Sequence, residues 1–151
     1  MKPEILPFVL SDLLEIAVNE SEACSKTPRV TLNMAAWLGN NPEEKSCSAC
    51  MAGAVMLRRG LVTSLIPPYL YNFSPEDCEG NKRQLEAINA MRTGWFEEAY
   101  CFLHDQRIRK DQLFDELYRE VRAALDASEE PTHAPWSVYR KCIKKLRKEG
   151  L

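Results

Sequence analysis

Long apolar runs are missing from this 151-residue chain. No stretch approaches the roughly 18 uninterrupted apolar residues that a membrane-spanning helix needs. The opening MKPEILPFVL carries one lysine, is interrupted by Pro3, Glu4 and Pro7, and closes at Asp12, so neither a signal peptide nor a membrane anchor is expected. Histidine is scarce as well, with two residues in all. His104 ends an aromatic segment and His133 lies between prolines, and neither stands near a Ser or Cys nucleophile in a strand-turn-helix setting. Glycine-rich phosphate loops, His-Glu metalloprotease motifs and EF-hand loops do not occur, and no internal repeat is evident. With six glycines and nine prolines the chain is neither collagen-like nor low-complexity. A cytoplasmic, non-catalytic domain without a membrane partner is the expectation.

What is present is 45% hydrophobic and 28% charged, enough to build one core, and residues 1–151 are read as a single domain. The net charge of -2 hides an asymmetry. Residues 1–133 hold 14 Lys/Arg against 21 Asp/Glu, a balance of -7, whereas residues 134–151 hold 6 against 1, a balance of +5. The six cysteines, without a secretory signal, are expected as reduced thiols, and Cys24, Cys78, Cys101 and Cys142 fall in helical patterns where a thiol packs as a small hydrophobe.

The local grammar is helical. Ser11 is placed to cap a helix with Leu13, Leu14, Ala17, Val18 and Cys24 on one face and Glu15, Asn19, Glu20 and Glu22 on the other. A short helical turn over Leu32 to Leu38 would end at Gly39. Asn41-Pro42-Glu43-Glu44 reads as the start of a central helix through Cys47, Cys50, Gly53 and Leu57 to Gly60, with Ser46 as an alternative cap. Leu61 to Ile66 suits a short extended piece, and Tyr69, Tyr71 and Phe73 follow as an aromatic tether. Ser74-Pro75-Glu76-Asp77 repeats the cap grammar before a helix ending at Thr93-Gly94. A helix from Trp95 to Leu103, a regular one over residues 111–126 and a final basic one complete the series. Five to seven helices in an all-α orthogonal bundle satisfy these stripes.

Cys47-x-x-Cys50 with Cys101-x-x-His104 has the chemistry of a closed structural zinc site, because two such pairs on neighbouring helices would supply four soft or borderline ligands. Core packing accounts for the same residues, and the two pairs are separated by a complete helix, so no metal or other cofactor is the expectation. A redox role for Cys47 and Cys50 lacks the strand expected before such a helix. On the final helix Tyr139, Cys142, Ile143 and Leu146 form an anchoring stripe, and Arg140, Lys141, Lys144, Lys145, Arg147 and Lys148 point outward. Those six cations suit a nucleic-acid backbone or an acidic protein, and attraction to the acidic body is the simpler alternative.

Cys47-Ser-Ala-Cys50-Met-Ala-Gly-Ala54 and Leu85-Glu-Ala-Ile-Asn89-Ala-Met-Arg92-Thr-Gly94 resemble motifs of small, uncharacterised bacteriophage and prophage proteins, over roughly residues 30–100. The resemblance implies an accessory protein that binds a host or phage protein, and it carries over no catalytic residue. The leading reading is therefore a helical interaction protein, through the basic helix or the Tyr69, Tyr71 and Phe73 region. The alternative is a nucleic-acid-associated protein using the basic C-terminal helix. The pattern leaves the oligomeric state open.

Overall fold

The apolar stripes find one another in a computed structural model that describes residues 4–27, 30–32, 38–41, 46–61, 74–127 and 133–151, with backbone alone for the strand segments. Among these residues six α-helices build the expected orthogonal bundle: α1 (Leu10–Ser25), α2 (Met51–Arg58), α3 (Lys82–Arg92), α4 (Phe96–His104), α5 (Asp111–Asp126) and α6 (Trp136–Lys148). A small sheet of β1 (Val30–Leu32), β2 (Leu38–Asn41) and β3 (Ser46–Ala49) is added to it. Strand β3 lies in the middle, parallel to β1 with Val30 opposite Cys47, and antiparallel to β2 with Asn41 opposite Ser46.

The long helices form as their patterns dictate. Leu10, Leu13, Leu14, Ala17, Val18 and Cys24 bury one face of α1, and α6 buries Tyr139, Cys142, Ile143 and Leu146. Helix α5 spans the expected residues and buries Phe114, Leu117, Val121 and Leu125. These side chains join Met51, Met56, Leu85, Ile88, Met91 and Phe96 in one continuous core.

Several helix ends differ from the sequence expectation. Val9, not Ser11, occupies the N-cap of α1, and the backbone N–H and hydroxyl of the buried Ser11 both donate to the Leu151 carbonyl at 3.0 Å. Helix α2 starts at Met51 rather than Pro42, so neither Asn41 nor Ser46 is its cap. Asn-Pro also opens turns, Ser and Cys are indifferent helix formers, and the pairing of β3 with two neighbours satisfies the backbone of residues 46–49 instead. Gly39 lies within β2 and ends no helix. Ser74 and Asp77 do form a capping box, but on the 3-10 turn Pro75–Asp77, and α3 begins later, after Asn81. The extended piece expected over Leu61 to Ile66 falls, beyond Leu61, outside the described residues.

Gly94 turns the chain from α3 into α4 with φ of 93°, and a Cβ there would stand 3.3 Å from both the Cα and the carbonyl oxygen of Tyr118. Gly94→Ala should therefore destabilise the protein by about 1–3 kcal/mol, through left-handed strain and a contact with backbone that cannot move aside. A shift of the urea midpoint at unchanged slope measures it; no shift would show that the turn opens without cost.

Candidate docking surface between α3 and α4

Of the four candidate zinc ligands, Cys50, Cys101 and His104 have described side chains, and each has a place of its own in the packing. Cys50 is buried as the N-cap of α2, where its sulfur accepts a hydrogen bond from the Gly53 N–H at 3.3 Å. Burial pushes its thiol above the ordinary range, against smaller opposing contributions led by the Gly53 hydrogen bond. Cys101 is half-buried on α4, and the exposed His104 packs its ring against Tyr100 at 4.4 Å. The side chain of Cys47 lies outside the described residues. Among those residues no group of three or more His, Cys, Asp or Glu is placed to hold a metal ion. The strand that a redox reading of Cys47 and Cys50 lacked is present as β3, yet Cys50 is 2% exposed at the helix start, and a buried thiol with a raised pKa is a poor nucleophile.

The basic helix divides into two rows. Three of its six cations pair with acidic neighbours on the body, the simpler alternative for this helix. Arg140 pairs with Glu22 of α1 and donates to Asn19 at 3.2 Å. Arg147 meets Glu15 at 2.7 Å and Asp12 at 3.3 Å. Lys145 reaches Glu116 and Glu120 of α5 at 2.7 and 2.5 Å, which raises its pKa. Lys141, Lys144 and Lys148 are exposed and make no ion pair with any described residue. Tyr69, Tyr71 and Phe73 lie outside the described residues.

The better-built surface is one that the sequence did not single out. Helices α3 and α4 pack closely around the Thr93-Gly94 turn and leave a groove of about 530 Å³ between their outer faces. Glu86, Asn89, Ala90 and Thr93 line it from α3, and Glu98 and Phe102 from α4, with Trp95 at its head. Spacings of three, four and seven residues place each set on one helical face. Trp95 is 46% and Phe102 41% exposed, unusual for side chains of this size. The Trp95 ring is supported from behind by Tyr118, with centroids 4.9 Å apart. A second hollow on that side is walled by Glu97, Glu98 and Asp115. Glu86, Glu98 and Asp115 make no ion pair with any described residue, whereas Glu97 has Arg107 at 3.9 Å. Helices α3 and α4 thus present an apolar floor beside two carboxylates, Glu86 and Glu98, that make no ion pair with any described residue.

The sequence signal was there in α4. Phe96, Ala99 and Leu103 are buried, while Trp95, Tyr100 and Phe102 remain at least partly accessible. A nine-residue helix with aromatics on both faces has more apolar surface than one core contact uses. No family model, no curated protein and no solved structure matches the chain, so the likeness to phage and prophage proteins rests on its two motifs alone.

Proposed function

We propose that the chain is a non-catalytic protein-binding module whose α3–α4 groove receives a basic, amphipathic helical segment of a partner protein. The observation that carries this reading is the pairing of exposed Trp95 and Phe102 with Glu86 and Glu98, two carboxylates free of ion pairs among the described residues. Exposed aromatic side chains anchor protein interfaces, and a Lys or Arg over the Trp95 face gains a cation–π contribution while the carboxylates reject acidic competitors. In a phage accessory protein, the class that the motif resemblance implies, such a partner belongs to the host, and binding would block or redirect it. The cytoplasm is the proposed site of action, where the thiols of Cys78, Cys101 and Cys142 stay reduced.

The probe is a synthetic amphipathic peptide with a Leu/Phe stripe flanked by Lys and Arg, followed by fluorescence anisotropy beside a Glu/Asp-flanked control. The basic peptide should bind, the control should not, and Trp95→Ala should weaken binding at least tenfold. Equal binding of both peptides, or indifference to Trp95→Ala, would overturn the reading. The nucleic-acid alternative is favoured by the exposed Lys141, Lys144 and Lys148 row. Salt-sensitive retention on DNA or RNA, lost when those three become glutamine and kept in Trp95→Ala, would move the site to α6.

A further inference from the structure

The other end of α3 carries a surface of opposite charge. Residues 4–9 are strapped across the start of the helix by two buried polar side chains. The Asn81 amide donates to the Glu4 carbonyl at 2.9 Å and accepts from the Leu6 N–H at 2.8 Å, and Gln84 donates to the Leu6 carbonyl at 3.1 Å. Asn81 and Gln84 are buried, and Leu6 fills the core beneath the strap. The side chains on its outer side stay in solvent: Ile5 is 60%, Val9 45% and Phe8 41% exposed. Beside them a hollow of about 420 Å³ is lined by Phe8, Gly80, Lys82, Arg83 and Gln84. Arg83 makes no ion pair with any described residue, and Lys82 has Glu76 at 3.7 Å across open solvent. The lining of the hollow is apolar and basic, with Glu76 and the exposed Glu79 standing outside it, and its hydrogen-bonded strap holds it ready-shaped.

The two lobes share one helix face. At 100° per residue, Lys82 and Arg83 of the hollow and Glu86, Asn89, Ala90 and Thr93 of the groove fall within an arc of about 120°. The face of α3 therefore runs from the basic hollow at Lys82 to the acidic groove at Glu86, Asn89 and Thr93. A surface with opposite charge at its two ends is complementary to itself after a half-turn about an axis through its middle. The basic lobe of one molecule then meets the acidic groove of the other, and the same contact is made twice, which closes the assembly at two subunits.

We infer that two copies of this chain pair antiparallel along α3, seating Phe8, Lys82 and Arg83 of each in the Trp95, Phe102, Glu86 and Glu98 groove of the other. The inference rests on the groove being a docking surface, as proposed above, and adds a regulation. Self-pairing covers the groove, so the basic segment of a partner competes with a second copy and binding favours the single chain.

Charge reversal tests it by light scattering after gel filtration. The unaltered protein at about 100 µM should elute with the mass of two chains and dissociate on dilution or in high salt. Lys82→Glu with Arg83→Glu, and Glu86→Lys with Glu98→Lys, should each give single chains, because every cross-contact then joins like charges. An equimolar mixture of the two variants should recover the mass of two chains, which damaged folding cannot imitate. Phe8→Asn, at an exposed position outside the groove, should raise the dissociation constant at least tenfold and leave the affinity for the basic peptide unchanged or higher. A single-chain mass for the unaltered protein, or no recovery in the mixture, would overturn the inference while peptide binding to the groove stands. Two-chain mass and recovery without peptide binding would instead retain the pair and discard the partner.

Discussion

Tyr139→Phe is expected to lower the unfolding free energy by about 2–4 kcal/mol, although it removes one oxygen atom and keeps the ring. Tyr139 is fully buried, and its hydroxyl accepts from the Ala134 N–H at 3.0 Å and donates to the Arg92 carbonyl at 2.7 Å. Arg92 is the last residue of α3, and the final carbonyls of a helix have no partner within it. The Ala90 carbonyl is satisfied by the Thr93 and Trp95 N–H groups, and that of Met91 by Gly94. The carbonyl of Arg92 is left for Tyr139, forty-seven residues away in sequence. Phenylalanine would orphan one buried donor and one part-buried acceptor, each costing about 1–3 kcal/mol unless water replaces the hydroxyl. Urea unfolding measures the loss; a change below about 1 kcal/mol would show that water enters beside Ala134. The same hydroxyl ties the start of α6 to the turn on which Trp95 stands, so this variant should also loosen the groove.

That contact illustrates where the sequence stops being informative. Tyr139, Cys142, Ile143 and Leu146 declare a buried stripe by spacing alone, and α5 can be bounded for the same reason, because a strong 3.6-residue period is a local property. The partner of a phenol is a property of the packed fold. Residues 41–58 show the opposite failure: a cap sequence announced a helix, but Cys47, Ser48 and Ala49 are small residues without a decisive period, and pairing with β1 and β2 settled them. Strand pairing is non-local, and local grammar cannot anticipate it.

The candidate surfaces divide in the same way. The basic helix was legible as charge, but its destination was not: Glu15 and Glu22 were visible as the polar side of α1, and only the packing of α1 on α6 turns them, with Asp12, into partners of Arg140 and Arg147. Trp95 and Phe102 were legible as members of a short aromatic helix, and which of its aromatics stay in solvent is decided by packing. Ile5, Phe8 and Val9 read as a short apolar start to the chain, and their exposure follows from Asn81 and Gln84 fixing the backbone beside α3 with Leu6 turned inward. Exposed apolar groups held by buried polar ones are a tertiary feature, and it is these that supply one side of the inferred pair.

Alkaline solution should unfold the protein steeply, with the fall in stability beginning near pH 9. Burial is the first cause that pushes the Cys142 thiol up to about 12, with the nearby Glu120 carboxylate adding to it. Burial, and then the charge of Asp77, raises Cys78 to about 11, and burial raises Tyr139 to about 12. In the unfolded chain the two thiols ionise near their ordinary value of 9.0 and the phenol near 10.0. Below pH 9 both states hold these protons, and the stability they contribute is fully present. Above it the unfolded state releases protons that the folded state keeps, so each pH unit costs about 1.4 kcal/mol per group until the folded pKa is reached. Cys142 alone then accounts for about 4 kcal/mol between pH 9 and 12. The raised pKa of Lys145, held by Glu116 and then Glu120, acts in the same direction, since its ion pairs disappear when the ammonium loses its proton. Urea midpoints at intervals from pH 7 to 11 should be level with respect to these groups up to pH 9 and fall beyond it. Cys142→Ala lowers stability at every pH by leaving a small cavity, but should make the alkaline fall shallower by about 1.4 kcal/mol per pH unit. The slope is therefore the decisive quantity, and an unchanged slope in Cys142→Ala would mean that this thiol ionises within the folded protein as readily as outside it.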